Sequence, residues 1–150
     1  MKRFEYISHS KAETLAIGTK IGQLCFENSV FLLDGDLGAG KTTLTQGIAK
    51  GLNITRPVTS PTFTIQKIYR GNLILNHIDA YRLEGLSQDL GLDEYLDDGC
   101  VTVIEWSSFV PDLIPQEYMM ISIRVLEDGS RKLFFESHGQ AYEEILEVIA

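Results

Sequence analysis

The segment that most constrains the fold of this chain is a glycine-rich stretch between an apolar run and a helical pattern. Residues 35–42 match the eight-residue pattern G-x-x-x-x-G-K-[ST], and the apolar residues 30–33 precede them. Glycines allow the backbone to curl so that successive N–H groups point at phosphate oxygens, and the following helix directs its positive end to the same place. The sequence therefore predicts a strand, a phosphate-binding loop and a helix in succession.

The residues of this loop have separate predicted roles. Lys41 is expected to reach the outer phosphates of a nucleotide as a point charge, and the Thr42 hydroxyl is expected to bind the Mg²⁺ that bridges them. The other predicted nucleotide contacts in the loop are Gly38, Ala39, Gly40 and Thr43. A glycine-rich turn without a ligand is the alternative, but the filled motif positions and the flanking elements favour phosphate binding.

The length and charge of the chain limit its class. A chain of 150 residues is expected to form one domain over residues 1–150, and its 44% hydrophobic and 23% charged residues are typical of globular proteins. Its net charge of −8 argues against the binding of a nucleic-acid backbone by this chain alone, because such binding needs a basic surface. Phosphate binding at one loop is local and is compatible with this acidic total.

Cysteine usage and hydropathy indicate the compartment. Cys25 and Cys100 each lie in an apolar run, and we expect both to be buried free thiols in a reducing compartment, with a disulfide as the less favoured alternative. No apolar run reaches the length of a membrane span, and the first residues lack the pattern of a signal peptide. We therefore expect a soluble, cytoplasmic protein without membrane contact.

Apolar periodicity predicts three helices and two hairpins around the loop. A short strand is predicted over residues 4–7, and a capping box of Ser10 and Glu13 then starts a helix that is predicted to stop at Asn28. The remaining predicted elements are a second helix ending near residue 51, a hairpin of residues 63–69 and 73–79, a buried strand over 100–104, a hairpin of 118–126 and 131–137, and a terminal helix over 141–149. The hairpins depart from a strict alternation of strands and helices.

Two further segments each have two interpretations. Residues 53–64 carry two prolines and five hydroxyl side chains without a period, so they form either a solvated connector or a switch segment whose hydroxyls approach the terminal phosphate or Mg²⁺. Residues 85–98 are acidic and are predicted to form one or two short helices. Their charges are favoured as a solvated face over a partner surface.

A phosphate-binding loop needs an acid at the end of a neighbouring strand, and two candidates fit. Asp79 ends the apolar residues 73–78, and Glu105 ends residues 101–104. Ligands of an open α/β sheet gather at the carboxyl ends of its strands, so both acids are candidates for one site. One carboxylate would serve the metal while the other positions water, and the alternative for each acid is a turn cap.

Three neighbours of these acids remain ambiguous in sequence. His77 precedes Asp79 by two residues and shares its strand face, where a structural histidine is favoured over a catalytic one. Arg82 is predicted either to stabilise charge or to form a salt bridge. Trp106 packs on the core, stacks on a base or faces a partner.

Missing motifs constrain the nucleotide and the reaction. Neither N-K-x-D nor D-x-x-G occurs in the chain, so the usual guanine-nucleotide signals are missing and ATP is favoured. The chain also lacks a long insertion that would act as a kinase lid, which favours hydrolysis over transfer to a small acceptor.

Taken together, five motifs resemble those of the TsaE (YjeE) family in order and spacing. They are residues 35–43, 60–64, 77–83, 91–95 and 104–106. The resemblance implies an α/β, P-loop NTPase-like three-layer fold with a mixed parallel and antiparallel sheet, in agreement with the two hairpins. It also implies an ATPase of bacterial tRNA threonylcarbamoyladenosine synthesis that acts with TsaB and TsaD. Those partners install the threonylcarbamoyl group on the adenosine beside the anticodon, and ATP hydrolysis would reset their complex between turnovers.

The resemblance also implies roles for individual residues. Thr42 and Glu105 would hold Mg²⁺, Asp79 would support hydrolysis, and residues 60–64 would match a switch-like loop. Further nucleotide contacts would come from the start of the first helix and from the last hairpin, at Ser10, Lys11, Thr14 and Arg131. The chain departs from the family pattern at Ala80 and Ser107, where leucine and proline are usual, and neither position belongs to the proposed chemistry.

The resemblance leaves expectations for activity and partners that can be tested. Hydrolysis is expected to be slow for the isolated chain because no arginine finger is evident in the sequence, and the tRNA is expected to be bound mainly through TsaB and TsaD. The alternative functions are a small-molecule or nucleoside kinase and a nucleotide-gated protein-binding module with negligible catalysis.

Overall fold

The computed structural model describes residues 1–36, 38–61, 64–84 and 91–150, apart from the side chains of Asp93 and Tyr95. Its strands are β1 (Arg3–Ser8), β2 (Val30–Gly35), β3 (Gln66–Arg70), β4 (Ile74–Asp79), β5 (Val101–Glu105), β6 (Tyr118–Val125) and β7 (Arg131–His138). Its α-helices are α1 (Lys11–Leu24), α2 (Lys41–Gly51) and α3 (Gln140–Ile149). Both predicted hairpins are confirmed, as β3–β4 and β6–β7.

The strands form one mixed seven-stranded sheet in the order β1-β7-β6-β2-β5-β4-β3. The central strand β2 pairs in parallel with both β5 and β6, and β4 pairs in parallel with β5. The antiparallel pairs are β3 with β4, β6 with β7, and β7 with β1. The predicted α/β fold with a mixed sheet is therefore confirmed, and the carboxyl ends of β2, β4 and β5 lie side by side.

The two faces of the sheet are covered by different kinds of structure. Phe31 and Leu33 of β2 pack with buried residues of all three α-helices, whereas Val30 and Leu32 belong to a second buried cluster on the other face. Among the described residues, the second face is covered by loops and four short 3₁₀ helices, which are Tyr81–Leu83, Leu92–Tyr95, Ser107–Phe109 and Pro111–Leu113. A continuously apolar β2 is the expected consequence, because both of its faces are buried.

Glycines bring α1 and α2 into close contact. A Cβ atom at Gly22 would lie 2.2 Å from the Ile48 carbonyl oxygen, and one at Gly47 would lie 2.5 Å from the Leu15 carbonyl oxygen. Such distances are too short for real Cβ atoms, so the helix backbones approach each other only because these positions have no side chain. This contact fixes the position of α1 relative to α2, the helix that begins at the phosphate loop. The sequence analysis did not predict this contact.

The first helix begins as predicted and ends early. The Ser10 hydroxyl accepts a hydrogen bond from the Glu13 N–H at 3.1 Å, while the Glu13 carboxylate accepts from the N–H of His9. The helix ends at Leu24 rather than at Asn28, whose positive φ of 68° places it in a turn beyond the helix. Asparagine tolerates this left-handed conformation. Asn28 therefore forms a turn four residues after Leu24, the last residue of the helix.

Other predicted segments differ from the structure in detail. Of the acidic residues 85–98, residues 85–90 lie outside the described part of the chain, and the described remainder contains a single 3₁₀ helix, Leu92–Tyr95. Cys100 and Cys25 are free thiols as predicted, but only Cys100 is fully buried and Cys25 is half-buried. Within the described ranges, no helix has both the length and the apolar character needed to cross a bilayer.

Candidate functional site

The phosphate loop has the curled backbone that its glycines predict. Gly38 and Gly40 adopt positive φ angles of 78° and 115°, and the Ala39 N–H donates a hydrogen bond to the Asp36 carbonyl at 3.0 Å. These left-handed conformations favour glycine. Lys41 is the first residue of α2, so its side chain stands at the positive end of the helix.

The two candidate acids meet at adjacent strand ends. Asp79 and Glu105 are paired in register across β4 and β5, and Glu105 is also opposite Leu33 of β2. Each acid is only 4% exposed. The Asp79 carboxylate accepts a hydrogen bond from the Tyr81 N–H at 3.0 Å through Oδ1. Both acids therefore lie at the carboxyl ends of neighbouring strands, on the side of the sheet where the phosphate loop begins. Their roles stay predictions.

Glu105 links the loop to the interior of the sheet. Its Oε1 lies 3.7 Å from Lys41 Nζ, and its Oε2 lies 2.7 Å from Nε2 of His77. Lys41 is 7% exposed and His77 is fully buried. The carboxylate is therefore shared between the loop lysine and a histidine that the sequence analysis favoured as structural. The only sequence signal for this contact was the two-residue spacing of His77 and Asp79.

Trp106 lies beside the same lysine. Lys41 Nζ is 4.9 Å from the centre of the indole ring, within the range of a cation–π contact. The ring also stacks on Phe109 at 5.7 Å and meets the half-exposed Tyr81 at 5.0 Å. Of the three interpretations open in sequence, packing on the core cluster is confirmed, and stacking on a base or a partner stays a prediction.

A cavity of about 240 Å³ opens beside the loop, between the start of α1 and the last hairpin. Its lining includes all four residues that the resemblance suggested outside the loop, together with several that sequence reasoning missed. The lining residues are Ser8, His9, Ser10, Lys11, Thr14, Gly38, Gly40, Thr43, Gly129 and Arg131. The strand order explains the convergence, because β1 pairs with β7 and brings the turn before α1 next to the turn before β7.

Hydrogen bonds hold three of these residues in place. Arg131 donates to the Gly38 carbonyl at 3.3 Å and to the Gly129 carbonyl at 2.7 Å, so its guanidinium bridges the hairpin turn and the phosphate loop. The Thr14 and Ser8 hydroxyl oxygens lie 2.6 Å apart and are buried. Ser8 and His9 directly precede the capping residue Ser10, and this adjacency is the one sequence signal that would have suggested them.

The residue that follows the hydroxyl-rich segment, Ile65, contacts the site. The Asp79 N–H donates to the Ile65 carbonyl at 2.7 Å, and Ile65 has a positive φ of 67°, which is rare for a β-branched residue. Thr59 accepts a hydrogen bond from Lys67, so at least one hydroxyl serves the connector itself. Residues 62 and 63 of the predicted switch lie outside the described part of the chain, and the switch role stays a prediction.

Two oxygen-bearing side chains, one in the first turn of α2 and one at the end of β5, fit Mg²⁺ when nucleotide phosphates complete the set. Thr42 and Glu105 offer a hydroxyl and a carboxylate, which are oxygen ligands of the kind Mg²⁺ prefers. Across residues 1–36, 38–61, 64–84 and 91–150, no group of three or more His, Cys, Asp or Glu side chains converges to hold a metal unaided. Mg²⁺ is commonly bound by one or two protein oxygens together with substrate phosphates and waters, and the pair Thr42 and Glu105 is compatible with that mode.

A larger cavity lies away from this chemistry. It measures about 560 Å³ and is lined by the turn that leads into β2, by residues 96 and 97, by the 3₁₀ helix Pro111–Leu113 and the residues after it, and by the first turn of α3. Val30 and Tyr142 contribute to its wall, whereas the phosphate loop begins at the opposite end of β2. Seven of the predicted nucleotide contacts line the smaller cavity beside the loop, whereas Lys41, Asp79 and Glu105 are not among its lining residues.

Comparisons with known proteins identify relatives of this chain in sequence and in structure. The family model described as "Threonylcarbamoyl adenosine biosynthesis protein TsaE" matches residues 8–133. The tRNA threonylcarbamoyladenosine biosynthesis protein TsaE of Bacillus subtilis (strain 168) is 43% identical over 151 residues, covering 100% of this chain and 96% of that protein. The protein of the same name from Treponema pallidum (strain Nichols) is 43% identical over 129 residues, covering 85% of this chain and 96% of that protein. A crystal structure of Bacillus subtilis YdiB aligns with a TM-score of 0.86 at 38% identity, covering 99% and 94% of the two chains.

Proposed function

The chain belongs to the TsaE family, and we propose that it is a Mg²⁺-dependent ATPase that serves tRNA threonylcarbamoyladenosine biosynthesis. Family membership gives its role in that biosynthesis. One observation carries the ATPase proposal: Lys41 of a curled phosphate loop forms an ion pair with Glu105, which lies in register with Asp79 at the adjacent strand end. This arrangement joins a phosphate-binding cation to the acids needed for metal and water.

The loop would bind the triphosphate through its backbone and Lys41. The N–H groups of the loop and of the first turn of α2 would donate to phosphate oxygens, and Lys41 would exchange its contact with Glu105 for the γ-phosphate. Lys41 is 7% exposed, so its charge acts where water screens it little. Stabilising the charge that develops on the transferred phosphoryl group is the main catalytic contribution expected of this loop.

The acids would complete the hydrolytic site. Thr42 and Glu105 would hold Mg²⁺, which when bound neutralises charge on the β- and γ-phosphate oxygens. Asp79 would accept a hydrogen bond from the attacking water and orient it toward the γ-phosphorus. Asp79 is itself fixed by the Tyr81 N–H and by its own N–H bond to Ile65. Movement of the segment that contains Ile65 would therefore be transmitted directly to the residue that orients water.

The cavity beside the loop would hold the rest of the nucleotide. Ser10, Lys11 and Thr14 from the start of α1 and Arg131 from the last hairpin would contact it, together with Thr43 of the loop. Arg131 already donates to the Gly38 carbonyl, so its positive charge lies at the loop and would attract the polyphosphate. ATP is proposed as the nucleotide because the sequence lacks the guanine-specific motifs.

Partner proteins would complete the activity. We expect slow turnover by the isolated chain and faster turnover in the presence of TsaB and TsaD. The net charge of −8 supports docking on protein, with the tRNA held mainly by the partners.

Phosphate release from ATP tests the proposal when it is measured in paired variants. Lys41→Ala and Glu105→Gln are expected to lower Mg²⁺-dependent release by at least about a hundredfold, because each removes a group that acts on the transferred phosphoryl or its metal. The exposed Lys50→Ala on the same helix and the exposed Glu117→Gln are matched controls that should retain activity. Near-normal release by a folded Lys41→Ala or Glu105→Gln chain would contradict the assignment.

A further inference from the structure

His77 occupies a position where a polar ring is unexpected. It lies in the middle of β4, is fully buried, and shares the helix-covered face of the sheet with Leu75 two residues earlier. Its register partner on β5 is Val103, which is also fully buried. An apolar side chain would fill such a site without the cost of burying ring nitrogens.

The two ring nitrogens have different environments. Nε2 lies 2.7 Å from Oε2 of Glu105, whereas Nδ1 is buried and has no hydrogen-bond partner among the described residues. Because a carboxylate oxygen accepts, Nε2 carries the hydrogen of this bond. Burying Nδ1 without a partner carries a desolvation cost, so the bond from Nε2 to Glu105 is the contact that accounts for a histidine at this position.

This bond fixes the orientation of the carboxylate. With Oε2 held by His77, the other oxygen of Glu105 is the one that faces Lys41 Nζ at 3.7 Å. Lys41 belongs to the phosphate loop, so Oε1 is directed toward the proposed metal and nucleotide. Without the ring, the carboxylate would be free to rotate and would lose this preferred direction.

We propose that His77 is a positioning residue that holds Glu105 so that Oε1 is presented to Mg²⁺. The proposal rests on the proposed function, because it takes Glu105 as the metal ligand. His77 does not touch the nucleotide in this account and acts only through Glu105. Partners of this kind typically change metal affinity by about 10- to 100-fold when they are removed.

The test compares substitutions that differ in their ability to donate to Glu105. His77→Leu removes the donor and keeps an apolar filling, whereas His77→Gln places an amide N–H near the position of Nε2. Asn76→Leu is the matched control, because Asn76 is the adjacent buried residue of β4 and bonds to Thr102 and Gln66 instead of Glu105. Circular dichroism and thermal melting would establish that each variant is folded.

The readout is Mg²⁺ affinity in the absence of turnover. Trp106 is the sole tryptophan, follows Glu105 directly and lies against Lys41, so its fluorescence should report metal binding. Mg²⁺ is titrated into each variant at saturating concentrations of a non-hydrolysable ATP analogue. A fluorescent nucleotide in the presence of EDTA gives the metal-free affinity, which His77 should not affect.

The half-saturating Mg²⁺ concentration should rise by about 10- to 100-fold in His77→Leu. In His77→Gln it should return to within about threefold of the wild-type value, and in Asn76→Leu it should not change. A wild-type Mg²⁺ curve in folded His77→Leu, or an equal shift in Asn76→Leu, would overturn it. If His77→Leu does not fold, His77→Asn replaces it, since its shorter amide does not reach Glu105. Failure of the wild-type chain itself to respond to Mg²⁺ would instead refute the proposed function, and this inference with it.

Discussion

The glycine contact between α1 and α2 gives a stability prediction that runs against helix propensity. Gly47 lies within α2, where alanine would normally favour the helix by about 1 kcal/mol. A Cβ at this position would lie 2.5 Å from the Leu15 carbonyl oxygen, 2.9 Å from Gly18 Cα and 3.0 Å from the Thr19 nitrogen. All three atoms belong to the α1 backbone, so no side-chain rotation relieves the clash and the helices must separate.

The magnitude follows from these opposing effects. Overpacking of a tight contact costs about 1–3 kcal/mol, and the upper end applies here because backbone atoms must move. Subtracting the gain of about 1 kcal/mol in helix propensity leaves a net destabilisation of about 2 kcal/mol. For a chain of 150 residues, this corresponds to a fall of about 4–8 °C in the melting temperature.

Urea unfolding followed by circular dichroism measures this change. Gly47→Ala should lower the free energy of unfolding with little change in the dependence on urea, whereas Lys20→Ala on the exposed face of α1 should stay within about 0.5 kcal/mol of wild type. Equal or greater stability of Gly47→Ala would show that the helices are not in backbone contact and would refute the reasoning.

The remaining predictions concern single residues and the charge of the chain. Arg131→Ala should weaken ATP binding by about tenfold or more, because a charge-assisted contact is lost. Arg124→Ala, on the exposed end of β6, is the control and should bind ATP normally. Equal ATP affinities of the two variants in calorimetry would show that Arg131 does not bind the nucleotide. The residue Cys25 is half-buried, but burial around its thiol raises the pKa of that group to about 12. Iodoacetamide at pH 8 should therefore modify it more slowly than in the unfolded chain, and equally rapid labelling of the native protein would contradict this. The same shift makes stability fall as the pH rises above about 9, because only the unfolded chain then loses the thiol proton. The isolated chain should bind tRNA weakly in the absence of partner proteins. Tight, salt-sensitive binding would contradict the proposal that the partners hold the tRNA.

Local patterns predicted much of the site. The loop motif after an apolar strand placed Lys41 and Thr42 at the start of a helix, and strand patterns placed Asp79 and Glu105 at strand ends. These inferences hold because each depends on a few consecutive residues and on one geometric rule, that the carboxyl ends of parallel strands share an edge. Both hairpins were likewise evident from turn residues between apolar runs.

Features that depend on distant pairings were not predicted. The position of Arg131 next to Gly38 requires β6 to lie between β2 and β7, and no short pattern specifies that order. The bond between His77 and Glu105 joins residues 28 positions apart, and the backbone contact of Gly47 with α1 depends on how two helices pack. Sequence patterns of this kind describe which face of an element is buried, but not which residues meet across it.

The central claim is that Lys41, Asp79 and Glu105 form a Mg²⁺-dependent ATP-hydrolysing site that serves a partner complex. Release of phosphate from ATP, measured with and without Mg²⁺ in the presence and absence of TsaB, TsaD and tRNA, tests it most directly. We expect slow Mg²⁺-dependent release by the isolated chain, faster release with the partners, and loss of both in Lys41→Ala. Tight ATP binding without Mg²⁺-dependent phosphate release, even with partners and tRNA present, would contradict it and would favour a nucleotide-gated binding module instead.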